Sequence, residues 1–387
     1  MKEKSRLNRR SDKYGTLFAF AIVVLFVGAC LFNTDDGRIA RASDQLFRIV
    51  TVAEGLEKPW GIAFLPDGEM LVTERAGRLR RVKPDGQLSD PLSGLPEIAA
   101  TGQGGLLDVL IHPQFADNAL IYLSYAAKVD GGYTTHVAQA KLTDTGLNDV
   151  SPVFQATPGF GGGRHFGSRM LFDNDGYLFV TVGDRGHRPN GQDLSTHAGS
   201  ILRLHDDGSV PTDNPFVDVK DAQPEIWSYG HRNPQGLTID RASGRIWANE
   251  HGPQGGDELN EIIRGANYGW AQISYGAEYG SDQPVGQATE SDDTRQPHWY
   301  WVPSIAPSGL AWIGNDTYPG WKDSLLVGAL KFQLISRLPV GANGIDREER
   351  FLEGTLGRIR DVKLGLDGFV YLLTDKKDGG VYRLEPL

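Results

Sequence analysis

Cysteine is almost missing from this chain. Cys30 is the only one in 387 residues, so no disulfide can form within the chain and no multi-cysteine zinc or iron–sulfur site can be built. Positive charge is in short supply too. Lys and Arg number 39 against 49 Asp and Glu, a formal net charge of −10. That balance argues against a nucleic-acid partner, which would need a basic face. Long amphipathic helices are absent: the best stretch, DELNEIIR over 257–264, manages two turns at most. No linker composition interrupts the chain after residue 45. What is abundant is glycine (49), proline (21) and aromatic side chains (8 Trp, 13 Tyr, 16 Phe). Many turns joined by aromatic strands point to an all-β body.

The N-terminus has a different character. Lys2, Lys4, Arg6, Arg9, Arg10 and Lys13 precede an apolar run from Gly15 to Phe32. A basic flank followed by about 18 apolar residues is a signal or an anchor, with the positive end on the cytoplasmic side. The run ends Val27-Gly28-Ala29-Cys30, similar to a bacterial lipobox in which Cys30 would carry lipid. A lipoprotein signal, an uncleaved anchor and an ordinary secretion signal over 1–32 all place the body in the periplasm or on the extracytoplasmic face of the membrane. Residues 33–45 (NTDDGRIARASDQ) are expected to be a polar tether, with the folded domain over 46–387.

In that domain one pattern recurs six times: an apolar strand, a turn rich in Asp, Asn, Gly or Pro, and a second apolar strand. The copies begin near residues 61, 107, 170, 237, 310 and 362. Asp-Gly turns between such runs are hairpin signals. The starts lie about 46 to 73 residues apart, leaving room for two more strands and a loop. A four-stranded unit repeated six times predicts a six-bladed β-propeller of antiparallel blades, because one hairpin cannot bury both its faces and blades packed around an axis can. Further strands are read at 77–82, 136–142, 200–204 and 380–384. Residues 47–52 are expected to close the ring against the last blade, and 278–297 to be a polar surface loop.

Propeller ligands bind on loops at one end of the axis. Five loops there carry polar groups that turn formation does not explain. Gln103 sits among glycines in TGQGGLL, where backbone can approach a ligand. His165 follows Gly161–Gly163 and Arg164, suiting a general base; His187 and His197 follow in the next loop. Arg232 and Asn233 in YGHRNPQG offer a cation and an amide. His251, Gly252, Pro253, Asp257 and Glu258 lie in EHGPQGGDE, where small residues expose carbonyl oxygens of the kind hard cations take. Lys331, Arg358 and Arg360 are cations near the C-terminus. Residues two apart on a strand share a side, so Arg358 and Arg360 point together and Asp361 away. Each feature alone also has a plain reading, as a glycine turn, a loop histidine bonded to backbone, a structural arginine or a solvated strand.

The motifs GQGGLLDV, GRHFGSR, VGDRG, YGHRNPQG, EHGPQGGDELN, GANYGW and IAPSG, in this order, resemble the soluble quinoprotein sugar dehydrogenases of the glucose/sorbosone dehydrogenase family, and most closely their bacterial aldose sugar dehydrogenase branch. The resemblance covers about residues 47–387. It implies a propeller that binds pyrroloquinoline quinone (PQQ) and Ca²⁺ at the top of its axis and oxidises the C1 hydroxyl of aldoses to lactones. By that resemblance His165 is the catalytic base, and Arg232 stabilises charge on the quinone C5 oxygen. Asn233, His251, Lys331, Arg358 and Arg360 contact the cofactor, and Gln103 lies at the substrate and cofactor pocket. The Gly252 and Pro253 carbonyls hold the cofactor's Ca²⁺. Asp257, Glu258 and the Tyr268 carbonyl fall where some members hold a second, structural Ca²⁺. The implied partners are aldose sugars and a quinone or cytochrome as electron acceptor, with the protein a monomer or homodimer.

Two departures from the glucose-specialised members stand out. Arg164 replaces an acidic residue before the base, and the loops are shorter. Both favour a broad aldose range. His251 stands where those members have glutamine. Two other function classes fit a propeller: a metal-dependent lactonase, which needs carboxylates and amides converging on an axial metal, and a non-catalytic binding propeller at the cell surface. PQQ binding, and whether metal binding depends on it, separates all three.

Overall fold

The computed structural model describes residues 38–42 and 45–387. The leader expected over 1–32, with Cys30, lies outside the described residues. All six hairpins read from the sequence are present, each the inner half of one antiparallel sheet. They are Pro59–Phe64 with Met70–Glu74 (blade 1), Leu106–Ile111 with Leu120–Val129 (blade 2), Met170–Phe172 with Leu178–Val182 (blade 3), Pro234–Ile239 with Ile246–Glu250 (blade 4), Pro307–Ile313 with Ser324–Ala329 (blade 5), and Ile359–Leu364 with Val370–Thr374 (blade 6). The first strands of successive blades touch around the ring, and blade 6 meets blade 1. The fold is a six-bladed β-propeller. Among the described residues the only helices are one turn at Phe115–Asn118 and a 3-10 segment at Arg188–Gln192.

Packing explains why the second strands read as unbroken apolar runs rather than alternating ones. Leu178–Val182, Ser324–Ala329 and Val370–Thr374 are buried at every position, because each blade has a neighbour on both faces. Among the described residues, six buried clusters fill one blade interface each, and a small seventh joins Trp60, Leu107, Ala126 and Phe166. Met170, Val180 and Leu202 of blade 3, for example, pack on Tyr122 and Val137 of blade 2. Leu373 and Val381 of blade 6 pack on Ile62, Met70 and Val72 of blade 1.

The ring closes as expected. Gln45–Leu56 pairs antiparallel with Gly379–Pro386, so the start of the domain supplies the outer strand of its last blade. Three details depart from expectation. Arg38–Ala42, within the stretch expected to be a tether, adds a further strand to Gln45–Leu56. Blade 1 has three strands; residues 88–92 run beside the third irregularly, held by Ser89 N–H to Arg81 O and Leu92 N–H to Leu79 O. Residues 257–264 do not form a helix. Asp257–Glu261 is a strand paired on both sides, with Ile246–Glu250 and Trp299–Trp301. Burial of Leu259 in the cluster around Trp247 and Trp301 outweighs local helix propensity there. Residues 278–297 contain no strand and are largely exposed, as read.

One arginine ties the inner strands together. Arg169, 1% exposed, sits just before the first strand of blade 3. Its Nη1 donates to Asp108 Oδ1 of blade 2 at 2.9 Å and to Asp361 Oδ2 of blade 6 at 3.0 Å. Its Nε donates to the Gln235 carbonyl of blade 4 at 3.0 Å, and its guanidinium lies 4.3 Å over the Trp60 ring of blade 1. The carboxylates also bind backbone: Met170 N–H donates to Asp108 Oδ2 (2.9 Å) and Ile62 N–H to Asp361 Oδ2 (3.3 Å). Both need glycine opposite them, since a Cβ on Gly61 would lie 2.6 Å from Asp108 Oδ1 and one on Gly309 2.3 Å from Asp361 Oδ1.

Breaking a buried pair from one side strands the charges left behind. Arg169→Met is expected to lose about 3–5 kcal/mol of stability at pH 7 by denaturant titration. Burial already lifts the Asp361 carboxyl and the Arg169 charge is the main influence opposing it, so without the arginine the folded state binds more protons. The deficit should therefore shrink as pH falls toward 5. A deficit that is small, or that does not change with pH, would contradict this role for the triad.

Candidate active site

His165 is delivered by glycines and then fixed from three sides. Its backbone is left-handed, with φ 55°, a conformation costly for a residue with a side chain unless its surroundings enforce it. The enforcement comes from Gln103. His165 N–H donates to Gln103 Oε1 (2.8 Å), and Gln103 N–H donates to the Gly163 carbonyl (2.7 Å). Gly102 must be glycine for the two loops to meet, because a Cβ there would lie 2.2 Å from Gly163 O.

The imidazole forms a dyad that the sequence reading did not identify. Nδ1 is 2.6 Å from Asp184 Oδ1. That carboxylate is itself held by Gly186 N–H (2.7 Å to Oδ1) and by the Trp270 indole N–H (2.7 Å to Oδ2). Burial pushes the His165 imidazole below its ordinary value; the Asp184 hydrogen bond pulls the other way and the Arg232 charge adds to the lowering. Burial pushes Asp184 up, but the His165 hydrogen bond and charge, the Gly186 N–H and the Arg232 charge together outweigh it, and the carboxyl sits below the usual range. The ring is therefore neutral at pH 7 with the proton on Nδ1, leaving the Nε2 lone pair to accept one. The signal for Asp184 and Trp270 was present in the VGDRG and GANYGW motifs, without a role attached to it.

Beside the dyad is a cavity of about 200 Å³ over the axis. Gln103, Asn233, His251, Arg358 and Arg360 all line it, as the sequence predicted, together with Phe166, Trp60 and Gln235. Asn233 Oδ1 accepts from Gly167 N–H (3.2 Å), which orients its amide. Arg358 and Arg360 do point together, and the reason is Asp375, whose Oδ2 takes both at 3.1 and 3.2 Å. Asp375 was missed, having no motif around it. Lys331 is not among the lining residues. It is exposed beside Leu330, which is, with its ammonium 5.2 Å from the Phe332 ring.

Arg232 lies on the far side of His251. Its N–H donates to Glu250 Oε2 (2.6 Å), its Nη1 to the His251 carbonyl (3.1 Å), and its own carbonyl accepts Asp184 N–H (2.8 Å). One short segment thus links the cation, the dyad and the 250–258 loop. The His251 imidazole is pushed down to about 3, by burial first and then by the Arg232 and Arg360 charges. It is neutral, donating Nε2–H to the Pro307 carbonyl at 2.7 Å and leaving Nδ1 as an acceptor.

The 250–258 loop suits a hard cation. Neither the Gly252 nor the Pro253 carbonyl accepts a backbone hydrogen bond among the described residues. Carbonyl oxygens also crowd there: a Cβ on Gly252 would lie 2.2 Å from Gly256 O and 2.4 Å from Gly255 O. An adjoining small cavity is lined by Glu250, Glu258 and Tyr268. Burial, then the charge of Glu250, pushes Glu258 up to about 8, so two buried carboxyls share a space that a cation would relieve. Asp257 is placed differently from the reading. Its carboxylate is spent on Gly252 N–H (2.9 Å), Ser304 Oγ (2.6 Å) and Ala306 N–H (2.9 Å), and Glu250 stands in the cavity instead. The Tyr268 hydroxyl is engaged with Glu261 O and Ile263 N–H.

The remaining candidates are structural. His197 bridges Thr157 N–H and Glu225 (3.0 and 3.1 Å), and His187 meets Asn190. Arg164 is exposed, its side-chain stem lying against Gly186. The axial carboxylates a lactonase centre would need, Asp108 and Asp361, are both tied to Arg169. His251 is expected to remain neutral well below the ordinary imidazole range, and His165 to titrate below its ordinary value. Nitrogen chemical shifts of selectively labelled histidine should show His251 uncharged from pH 8 to 5 with its proton on Nε2, and His165 titrating below 6.5. Protonation of His251 within that range would contradict the geometry.

Comparison with known proteins agrees with this arrangement. A family model described as Glucose / Sorbosone dehydrogenase matches residues 56–383. The chain is 41% identical over 350 residues to aldose sugar dehydrogenase YliI of Escherichia coli K12, covering 89% of this chain and 94% of the relative. The crystal structure of the soluble aldose sugar dehydrogenase from E. coli in the apo form superposes with a TM-score of 0.85 at 41% identity, covering 88% and 100%. The PQQ-bound form of an aldose sugar dehydrogenase from Streptomyces coelicolor superposes with a TM-score of 0.74 at 27% identity, covering 90% and 100%.

Proposed function

The chain belongs to the glucose/sorbosone dehydrogenase family, and from that premise we propose that it oxidises the C1 hydroxyl of aldose sugars to lactones with PQQ and Ca²⁺. The observation that carries this reading is the buried His165–Asp184 dyad, joined through the His165 N–H bond to Gln103 and through the adjacent Phe166 to a cation-lined axial cavity that both of those residues line. A solved relative is named as binding PQQ, and the donor set here suits a tricarboxylate with a hard cation. When bound, that pair would supply the two-electron acceptor and the Lewis acid that polarises it.

The chain's own contribution is proton handling and placement. His165 Nε2 takes the proton from the sugar C1 hydroxyl. Asp184 holds the ring in the required tautomer and stabilises the imidazolium as it forms, and Trp270 and Gly186 keep Asp184 in place. Arg232 is the fixed cation for negative charge growing beyond the substrate, and it is preorganised by Glu250 and the His251 carbonyl. Arg358 and Arg360 would hold cofactor carboxylates inside the cavity and Lys331, exposed beside Leu330, would reach one from the rim, with Asn233 and His251 Nδ1 as neutral partners. The Gly252 and Pro253 carbonyls would hold Ca²⁺. The open, short-looped face suits several aldoses, with electrons passing on to a quinone or cytochrome. The basic and then apolar N-terminal sequence supports a place outside the cytoplasm, tethered or secreted.

Apoprotein given PQQ and Ca²⁺ should reduce an artificial dye with a panel of aldoses. His165→Ala should lower turnover by about 10²–10⁴-fold while still binding PQQ. No activity on any aldose with PQQ bound would sink the proposal. The acid limb of kcat/KM should fall below pH 6.5, since burial lowers the base's pKa. Asp184→Asn removes a charge that raises that pKa, so it should move the limb to lower pH as well as reduce kcat.

A further inference from the structure

Three guanidiniums and one carboxylate line the axial cavity: Arg75, Arg358, Arg360 and Asp375. Asp375 is shared between Arg358 and Arg360, and Arg360 also reaches Gln235 Oε1 at 3.3 Å. Arg75 has no such partner. Its half-buried guanidinium makes no hydrogen bond or ion pair with any described residue. The nearby acids are already taken, Glu57 by Arg78 at 2.8 Å and Glu74 by Arg78 and Arg80 at 2.6 and 3.4 Å.

The backbone of Arg75 is nonetheless pinned. Its N–H donates to Lys58 O, and its carbonyl accepts Leu106 N–H, both at 3.2 Å. Gly105 (φ 148°) must be glycine to let it in, because a Cβ there would lie 1.9 Å from Arg75 O. The loop that carries Gln103 is thus seated directly on Arg75. The residue lines both the axial cavity and an outer groove shared with Lys58 and Gly102. A fixed cation with no counterion, at the junction between an enclosed cationic cavity and its mouth, has the placement of a ligand contact.

We infer that Arg75 binds a carboxylate of the cofactor, on the blade 1 side of the cavity and beyond the three cations already assigned that role. The inference rests on the proposed PQQ reading, so its test must separate the two. PQQ is titrated by absorbance, with Ca²⁺ present, into wild type, Arg75→Met, Arg75→Lys and Lys58→Met. Lys58 lines the outer groove but not the cavity.

Wild type should bind. Arg75→Met should bind about 10- to 100-fold more weakly, the loss of one charge-assisted contact. Arg75→Lys should fall between them, and Lys58→Met should match wild type. The melting temperature of cofactor-free Arg75→Met should equal that of wild type, because the side chain has no protein partner to lose. Failure of wild type to bind PQQ would refute the underlying reading. If wild type binds, then equal affinity in Arg75→Met, a raised aldose KM with unchanged PQQ affinity, or a lowered melting temperature of the cofactor-free variant would each overturn the role of Arg75.

Discussion

The molecule is organised around a single buried cation. Arg169 touches blades 1, 2, 4 and 6 from its place at the start of blade 3. A charge this deep is tolerated only because two carboxylates and a carbonyl meet it, and those carboxylates only because backbone N–H groups and glycines let them in. The blade interfaces alone are apolar contacts that would accept small slips of one blade on the next. A network in which one guanidinium nitrogen serves two carboxylates and another a carbonyl resists them. The axial charges therefore set the blades in register, a contribution to specificity over and above the hydrophobic burial at the six interfaces.

That register is what the site inherits. Arg169 and His165 are four residues apart on one segment, and Gly167 between them is held by Asn233, the residue after Arg232. Asp184 follows directly from the second strand of the same blade, and its N–H is held by the Arg232 carbonyl. The dyad, the cation and the metal-suited loop belong to blades 3 and 4, whose first strands are fixed through Arg169. The guanidiniums of the axial cavity belong to blade 6 and to Arg75 of blade 1. Side chains from different blades can surround one cavity in a fixed arrangement only if the ring does not flex, and the axial triad resists that motion.

Most of the fold was legible because blades repeat. Turn chemistry and alternation marked all six hairpins, and the closing strand followed from the need to leave no open edge. Residues 257–261 were misread because their local preference is helical and one of the two strands that flank them, Trp299–Trp301, is far away in sequence. The strand at Arg38–Ala42 was hidden in a polar composition. In the site, residues set in glycine-rich motifs were found, while Asp375 and Arg75 were not, because what makes them matter is which partners they have or lack. Asp257 illustrates the same limit: a carboxylate in the right loop, but turned to cap backbone, with Glu250 standing in the cavity expected for it.

The charge pattern of the site follows one rule. The protein is acidic as a whole, at −10, yet the axial cavity holds three guanidiniums against one carboxylate, and the adjoining cavity holds Glu258, pushed up to about 8 by burial and then by the charge of Glu250. Each gathers charge of one sign that burial makes costly. The two cavities meet at His251, which lines both. A polyanion in the first and a hard cation at the second would each remove the repulsion of its own cavity, and each would also attract the other across that boundary. Under the proposed function, a carboxylate-bearing cofactor would answer the first cluster and its metal the second, on the ring held by Arg169.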